Sequence, residues 1–186
     1  MLEVYNAYGD FETMADMVEE MVCHLAEKFC GGLKIEHKNE EGETIRTIDL
    51  ARPWRRADYY DLIRNVAGED WLEITSEERR TRAKSLGVEI GDDLEDLDVT
   101  QQVFEKLVEE KLYDPCFVTH VAKDLIPLAK LNRTNPNVVD VYELDINGQE
   151  ISPGYSELND PDVQKERLEH QAGEEKQKID YDFIET

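Results

Sequence analysis

One short stretch late in the chain concentrates carboxylates without a single lysine or arginine to neutralise them. It reads ELDINGQEISPGYSELND over residues 143–160 and carries Glu143, Asp145, Glu150 and Glu157. Crowded carboxylates repel one another, so something else must supply positive charge. A hard divalent cation such as Mg²⁺ takes oxygen ligands and usually shares them with nucleotide phosphates. The stretch therefore indicates a cation site, and a solvated outer face whose charges avoid each other is the alternative.

The element that positions these carboxylates is a β-hairpin. Asn147-Gly148 between two strand-like runs is the sequence of a type I′ turn, which needs positive φ at both central residues. That turn predicts Asp145 opposite Glu150, and Glu143 opposite Ser152. Because side chains alternate along a strand, three acids share one face and the apolar side chains share the other. The predicted apolar set is Tyr142, Leu144, Ile146 and Ile151.

Glu157 needs a further feature to join the acidic face. It follows Glu150 by seven positions, an odd offset that points it to the opposite face of a regular strand. Pro153 and Gly154 lie between the two, and both residue types weaken or bulge a strand. We therefore expect a β-bulge at Pro153–Gly154.

The rest of the chain alternates strand and helix patterns. We predict a strand from Leu2 to near Gly9, a helix capped by Asp10, two strands around the turn at residues 38–42, and a buried strand at 116–120. A helix is predicted to start near Ala57, and residues 57–112 are mostly helical, as a possible insertion. Asp160 is expected to cap a last helix. The fold class is α+β, an antiparallel β-sheet flanked by helices.

Composition limits the function classes. The chain has 186 residues and a formal net charge of −23, which argues against this piece alone gripping a nucleic-acid backbone. Its three cysteines are widely spaced, which suggests reduced thiols and a cytoplasmic protein, and no zinc spacing or membrane-spanning run is present. The only basic cluster, RPWRR over residues 52–56, is interpreted as an ion-paired patch in preference to a tRNA contact.

Three segments together resemble one family. YELDINGQEISPGYSELNDP, LEVYNAYGDFETMADMVEEMV and FVTHVAKDLIPLAK are similar, in order and spacing, to segments of class II lysyl-tRNA synthetases between the second half of motif 2 and the approach to motif 3. The resemblance covers essentially the whole chain. It implies part of the class II synthetase catalytic-domain fold. It also implies a homodimeric parent enzyme that uses ATP and Mg²⁺ to convert lysine to lysyl-adenylate. That enzyme then transfers the lysyl group to tRNA(Lys).

The resemblance also implies roles for individual residues. Glu143 and Glu150 match positions that hold Mg²⁺ and ATP. Glu157 matches the carboxylate that faces the ε-ammonium of lysine. Glu3, Tyr5 and Tyr155 match further lysine-contacting positions, and no residue matches a covalent catalyst. Asp145 matches no position with a role in the family.

Two departures keep alternatives open. Pro153 stands where the family usually has a substrate-binding Asn, and Ala122, Ile126 and Pro127 depart from the family's third segment. The abrupt strand-like opening, and the absence of motif 1, motif 3, the motif 2 arginine and an anticodon-binding domain, lead us to expect an inactive fragment of an enzyme. The alternatives are a paralogue that aminoacylates a protein and a non-catalytic relic that serves as a binding or scaffolding domain.

Overall fold

The computed structural model describes residues 1–91 and 93–167 of the chain. The helices are α1 (Phe11–Cys30), α2 (Tyr59–Ala67), α3 (Ser76–Ser85) and α4 (Asp96–Leu107), followed by a 3₁₀ turn (Glu109–Lys111). The strands are β1 (Lys34–Lys38), β2 (Thr44–Asp49), β3 (Arg55–Asp58), β4 (Cys116–Thr119), β5 (Val141–Ile146) and β6 (Gln149–Tyr155). Residues 161–167 are helical, and the predicted continuation of that helix lies outside the described residues.

The strands form two sheets. β1 and β2 make a separate antiparallel hairpin, and the larger sheet has the order β3-β4-β5-β6. β4, β5 and β6 are antiparallel neighbours, whereas β3 pairs with β4 in parallel. The fold is α+β as predicted, but the sheet is mixed. The helix predicted to begin near Ala57 begins at Tyr59 instead, because Arg55–Asp58 pair with β4 before Asp58 caps α2.

The predicted strand from Leu2 to near Gly9 is wrong. Residues 1–10 form no strand, and every one of them is exposed. Their alternating apolar side chains satisfy the strand pattern, but they pair with no strand among the described residues. A β-strand is stable only when its backbone N–H and C=O groups find a neighbouring strand. The segment therefore enters α1 as an extended arm.

Local capping signals correctly located several helix ends. Asp10 caps α1 by accepting from the backbone N–H of Thr13 at 2.9 Å, and α1 ends where Gly31 takes φ 81°. Thr75 and Glu78 form a capping box at the start of α3. Asp160 accepts from Asp162 and Val163 N–H and begins the last helical segment. Each cap satisfies backbone groups that a helix end otherwise leaves without a partner.

Two cores cover the two faces of the larger sheet. On one face, Phe117, Tyr142 and Leu144 pack with Trp54 and with α1. On the other, Val118 and Val141 pack with the helices α2, α3 and α4. Trp54 and Trp71 are both buried. The acidic face of the hairpin is the second of these faces, so α4 and the 3₁₀ turn lie against it.

Candidate functional site: an acidic cavity beside the β5–β6 hairpin

The hairpin turn has the predicted geometry. Asn147 and Gly148 have φ of 59° and 73°, both positive as a type I′ turn requires. The turn is also hydrogen-bonded to the segment that follows the 3₁₀ turn. Asn147 N–H donates to the carbonyl of Tyr113 and Gly148 N–H donates to that of Leu112, each at 2.9 Å. The end of α4 and the 3₁₀ turn are therefore fixed against the hairpin.

A β-bulge is present, but not where we predicted it. Asp145 pairs with Glu150 as expected, whereas Leu144 pairs with Ser152, which leaves Ile151 as the extra residue. The ladder then runs without a break through Pro153, which lies opposite Glu143, so the prediction of Ser152 opposite Glu143 is also wrong. Ile151 is 53% exposed and does not join the apolar face.

The bulge at Ile151 changes the side-chain alternation of β6 in the way that we expected from a bulge at Pro153–Gly154. Because one extra residue changes the alternation, Pro153 and Tyr155 share the face of their partners Glu143 and Val141. The same alternation continues toward Glu157, whose backbone bridges to Ala129. The site residues of β6 and β5 therefore lie on one side of the hairpin.

Six carboxylate side chains line one cavity of about 470 Å³, which we call the acidic cavity. The hairpin supplies three of them, and the helical side supplies the others. Gln101, Phe104, Lys106 and the backbone of Gly148 complete the wall. The six acids are Glu105, Glu109, Glu110, Glu143, Asp145 and Glu150.

Two of the three hairpin acids are shielded from solvent, whereas Glu150 is exposed. Asp145 is only 2% exposed, and Glu143 is half-buried. Burial, followed by the nearby carboxylates of Glu150 and Glu109, raises the pKa of Glu143 to about 7. Burial and the same acidic surroundings raise the pKa of Asp145 to about 8. The solvated-face alternative is therefore wrong for these two residues, because water is largely excluded from them.

The helical acids were missed by the sequence analysis. Gln101, Glu105 and Glu109 recur every four residues and so follow one face of α4 into the 3₁₀ turn. Burial, then the carboxylates of Glu105 and Glu150, raises the pKa of Glu109, although the backbone N–H of Glu150 donates to it. The i, i+4 spacing of acids on a helix that precedes a buried strand was the available signal.

The fit of this cavity to a divalent cation follows from its donor set. Its walls present carboxylate oxygens, and one of them, Asp145 Oδ2, is buried without a hydrogen-bond partner. Within residues 1–91 and 93–167, no three Asp, Glu, His or Cys side chains form a ready-made metal site. Mg²⁺ usually takes one or two protein carboxylates and completes its shell with water and substrate phosphates. Glu143 and Glu150, which were predicted to hold Mg²⁺, both line this cavity.

Two of the residues assigned to lysine by the resemblance act electrostatically on a third. Burial, then the carboxylate of Glu157 and then the phenol of Tyr5, raises the pKa of Tyr155. Tyr5 is 80% exposed and Glu157 is exposed, so this subsite is open to solvent. Glu3 is exposed too, and among the described residues no hydrogen bond or ion pair joins it to the other three.

A hydrogen bond explains how the N-terminal arm reaches this end of the hairpin. The backbone N–H of Phe11, the first residue of α1, donates to Ser156 Oγ at 3.1 Å. Ser156 lies between Tyr155 and Glu157, and its own N–H donates to the carbonyl of Asp140. The start of α1 is therefore tied to the end of β6, and residues 1–10 leave from that point.

The basic cluster is engaged by α1. Arg52 Nε lies 2.9 Å from Glu19 Oε1, and Glu19 is only 4% exposed. Arg56 lies 3.3 Å from Glu12 and 2.6 Å from Asp16. The interpretation of RPWRR as an ion-paired patch is confirmed for these two arginines.

No helix among the described residues is long and apolar enough to cross a membrane. Cys23, Cys30 and Cys116 are all free thiols.

Comparison with known proteins supports the family resemblance over the whole length of this chain. The family model for class II tRNA synthetases (D, K and N) matches residues 1–186. A lysine–tRNA ligase of Staphylococcus aureus is 37% identical over 193 aligned residues, and that of strain MRSA252 is 36% identical. Each alignment takes in 100% of this chain and 38% of the relative, so the chain spans well under half the length of these curated relatives. The chain belongs to the class II tRNA synthetases of the D, K and N group.

Proposed function

We propose that this chain is part of the catalytic domain of a lysine–tRNA ligase. Its parent protein activates lysine with ATP and Mg²⁺ to lysyl-adenylate and transfers the lysyl group to tRNA(Lys). The acidic cavity beside the β5–β6 hairpin carries the proposal, because a cavity with six carboxylates and one lysine has a large deficit of positive charge. The 37% identity to a lysine–tRNA ligase supports the choice of substrate.

Glu143 and Glu150 are the proposed holders of Mg²⁺ and, through it, of ATP. They face the same cavity from β5 and β6, and their mutual repulsion is part of what raises the pKa of Glu143. When bound, the cation offsets charge on the phosphates as pyrophosphate leaves. The contribution of the protein is a pair of carboxylates held on neighbouring strands, of which Glu143 is half-buried and Glu150 is exposed. Partial burial strengthens the attraction of Glu143 to a cation.

Tyr155 and Glu157, with Tyr5 and Glu3 from the N-terminal arm, are the proposed lysine subsite. The ε-ammonium of lysine needs a carboxylate partner, because an unpaired charge in a pocket is expensive. Glu157 fits that role, since its charge already acts on Tyr155. Tyr155 is half-buried against the core and supplies a rigid wall for the methylene stem.

The reaction needs no covalent catalyst from the protein. The carboxylate of lysine attacks the α-phosphate of ATP in line with the departing pyrophosphate. The protein accelerates this step by holding both substrates and neutralising charge. The tie between Phe11 and Ser156 serves the same end, because it keeps the arm that carries Tyr5 beside Glu157.

The remaining assignments complete the proposal. Residues 57–112 form a mostly helical insertion in the catalytic domain, and this insertion supplies Glu105 and Glu109 to the cavity wall. The parent is a cytoplasmic homodimer that contacts its tRNA mainly through segments other than this acidic one.

A second candidate changes only the acceptor. Pro153 lies directly opposite Glu143 on the site face and is exposed, where the resemblance leads us to expect an amide side chain. Proline offers neither a side-chain hydrogen bond nor a backbone N–H. A paralogue that attaches an amino acid to a protein is therefore the alternative.

The test uses the longest natural protein that contains this chain. Pyrophosphate exchange is measured with lysine and with the other amino acids, followed by charging of tRNA(Lys). Lysine-dependent exchange together with charging supports the proposal. Exchange without charging supports the protein acceptor, and the absence of both exchange and lysine binding by calorimetry supports a non-catalytic relic.

A further inference from the structure

Asp145 is a buried acid whose carboxylate lacks a complete set of hydrogen-bond partners. It is 2% exposed, and its Oδ2 atom has no hydrogen-bond partner among the described residues. An ionised carboxylate in that position is destabilising unless a positive charge compensates it. A protonated Asp145 does not remove the problem, because its O–H would then be the buried group without a partner.

Acidic side chains approach Asp145 from β5, from β6 and from the 3₁₀ turn. Glu143 precedes it on β5, Glu150 pairs with it from β6, and Glu109 faces it from the 3₁₀ turn. Cys116 is its partner on β4, and burial followed by the influence of Arg55 and of Asp145 leaves the pKa of that thiol raised to about 11. Cys116 is thus a neutral neighbour.

The cationic side chain in the cavity wall does not compensate Asp145. Lys106 lies 2.7 Å from Glu110, and both of these side chains are more than half exposed. Their pairing occurs at the solvent edge of the cavity, whereas Asp145 lies at its buried end. A positive guest bound beside Asp145 therefore relieves a repulsion that the chain itself does not.

We propose that Asp145 supplies a third negative charge to the divalent-cation site of Glu143 and Glu150, and that Glu109 bounds this site from the helical side. This inference rests on the proposed function, which assigns only the other two hairpin acids to the cation. Charge count is one of the quantities that set the affinity of an oxygen-ligand site. Asp145 therefore increases cation affinity and destabilises the cation-free chain.

The test measures binding of Mn²⁺ alone, as a paramagnetic substitute for Mg²⁺, to the 186-residue chain by electron paramagnetic resonance. Asp145→Asn keeps the shape and removes the charge, and we expect it to weaken Mn²⁺ binding at least about tenfold. Glu150→Gln is the comparison within the proposed pair. Glu110→Gln is the matched control, since that side chain lines the same cavity but pairs with Lys106, and its effect is expected to stay under about twofold.

Thermal unfolding in the presence of a chelator is a second measurement, which does not depend on metal binding. At about pH 9, where the carboxylates of the cavity are ionised, Asp145→Asn is expected to unfold at a higher temperature than the wild type, because a buried like-charge repulsion is removed. A variant that is less stable, or that fails to fold, overturns the inference, since Asp145 would then have an internal structural partner.

The outcomes separate this inference from the function on which it rests. Wild-type affinity in Asp145→Asn, alongside weakened binding in Glu150→Gln, overturns the inference and leaves the cation site of the proposed function standing. Equal losses of Mn²⁺ affinity in Asp145→Asn and Glu110→Gln also overturn it, because any carboxylate near the cavity would then contribute equally to cation binding. A wild type that binds no Mn²⁺, or binding that is unaffected by Glu150→Gln, contradicts the proposed cation site itself.

Discussion

Asp145 and Glu150 occupy directly opposed positions in an antiparallel hairpin, although both side chains are acidic. Like charges in opposed positions destabilise a sheet. Here the pairing is enforced by a type I′ turn whose two N–H groups are bound by Leu112 and Tyr113, and by cores on both sides of the sheet. The fold therefore holds the acids together against their repulsion, as a cation-binding surface requires.

The cation-free chain should lose stability as the pH rises from about 6 to about 9. Glu143 and Asp145 have folded-state pKa values of about 7 and about 8, against ordinary values of 4.5 and 3.8. Both bind more protons when folded than when unfolded in this range, so stability falls with pH until the folded-state values are passed. Urea unfolding at a series of pH values, with a chelator present, measures this slope.

The control for that slope is a variant that carries both Glu143→Gln and Asp145→Asn. The unfolding free energy of this variant should depend much less on pH. A smaller dependence should remain because of His120, whose hydrogen bond to Asp58 raises the pKa of the imidazole. A wild-type stability that rises with pH over this interval would contradict the assigned burial of the two acids.

Gly148→Ala should destabilise the chain by about 2 kcal/mol or more, because two effects add. The residue has φ 73°, and a Cβ there would lie 2.9 Å from the carbonyl oxygen of Glu110. Gly42 is the matched control, since it has φ 84° and open space around its Cβ position, so Gly42→Ala costs only the backbone term of about 1 kcal/mol. Chemical denaturation compares the two, and equal losses would show that the close approach is unimportant.

Glu19→Ala should destabilise the chain by about 2–3 kcal/mol. Glu19 is 4% exposed and accepts from Arg52 Nε and from the buried backbone N–H of Trp54. Removing the carboxylate leaves that N–H without an acceptor. Glu12→Ala, which removes a half-exposed partner of Arg56, should cost less than about 1 kcal/mol. Similar losses in the two variants would argue against the buried role of Glu19.

Glu157→Gln should weaken lysine binding about 10- to 100-fold in the parent protein, because a hydrogen bond to a charged group contributes about 1.5–3 kcal/mol. Binding of norleucine, which lacks the ε-ammonium but keeps the α-ammonium, should change little. Titration calorimetry measures both ligands, with the exposed Glu73→Gln as the control. An equal loss for lysine and norleucine would mean that Glu157 does not face the ammonium.

Local sequence rules were sufficient for much of the hairpin. Asn147-Gly148 demands a positive φ at two successive residues, and a two-residue turn fixes the pairing next to it, so Asp145 opposite Glu150 follows directly. The caps at Asp10 and Thr75 follow from the same kind of short-range hydrogen bond. These features depend on contacts between residues that are only a few positions apart.

The tertiary structure decided what lies around those local features. The parallel pairing of β3 with β4 and the approach of Glu109 to Asp145 each depend on contacts between residues far apart in sequence. The sequence by itself determined that three carboxylates share one face of a hairpin. Only the packing of α4 and the 3₁₀ turn against that face decided that Asp145 is buried and Glu143 half-buried, because burial is set by which distant segment excludes water.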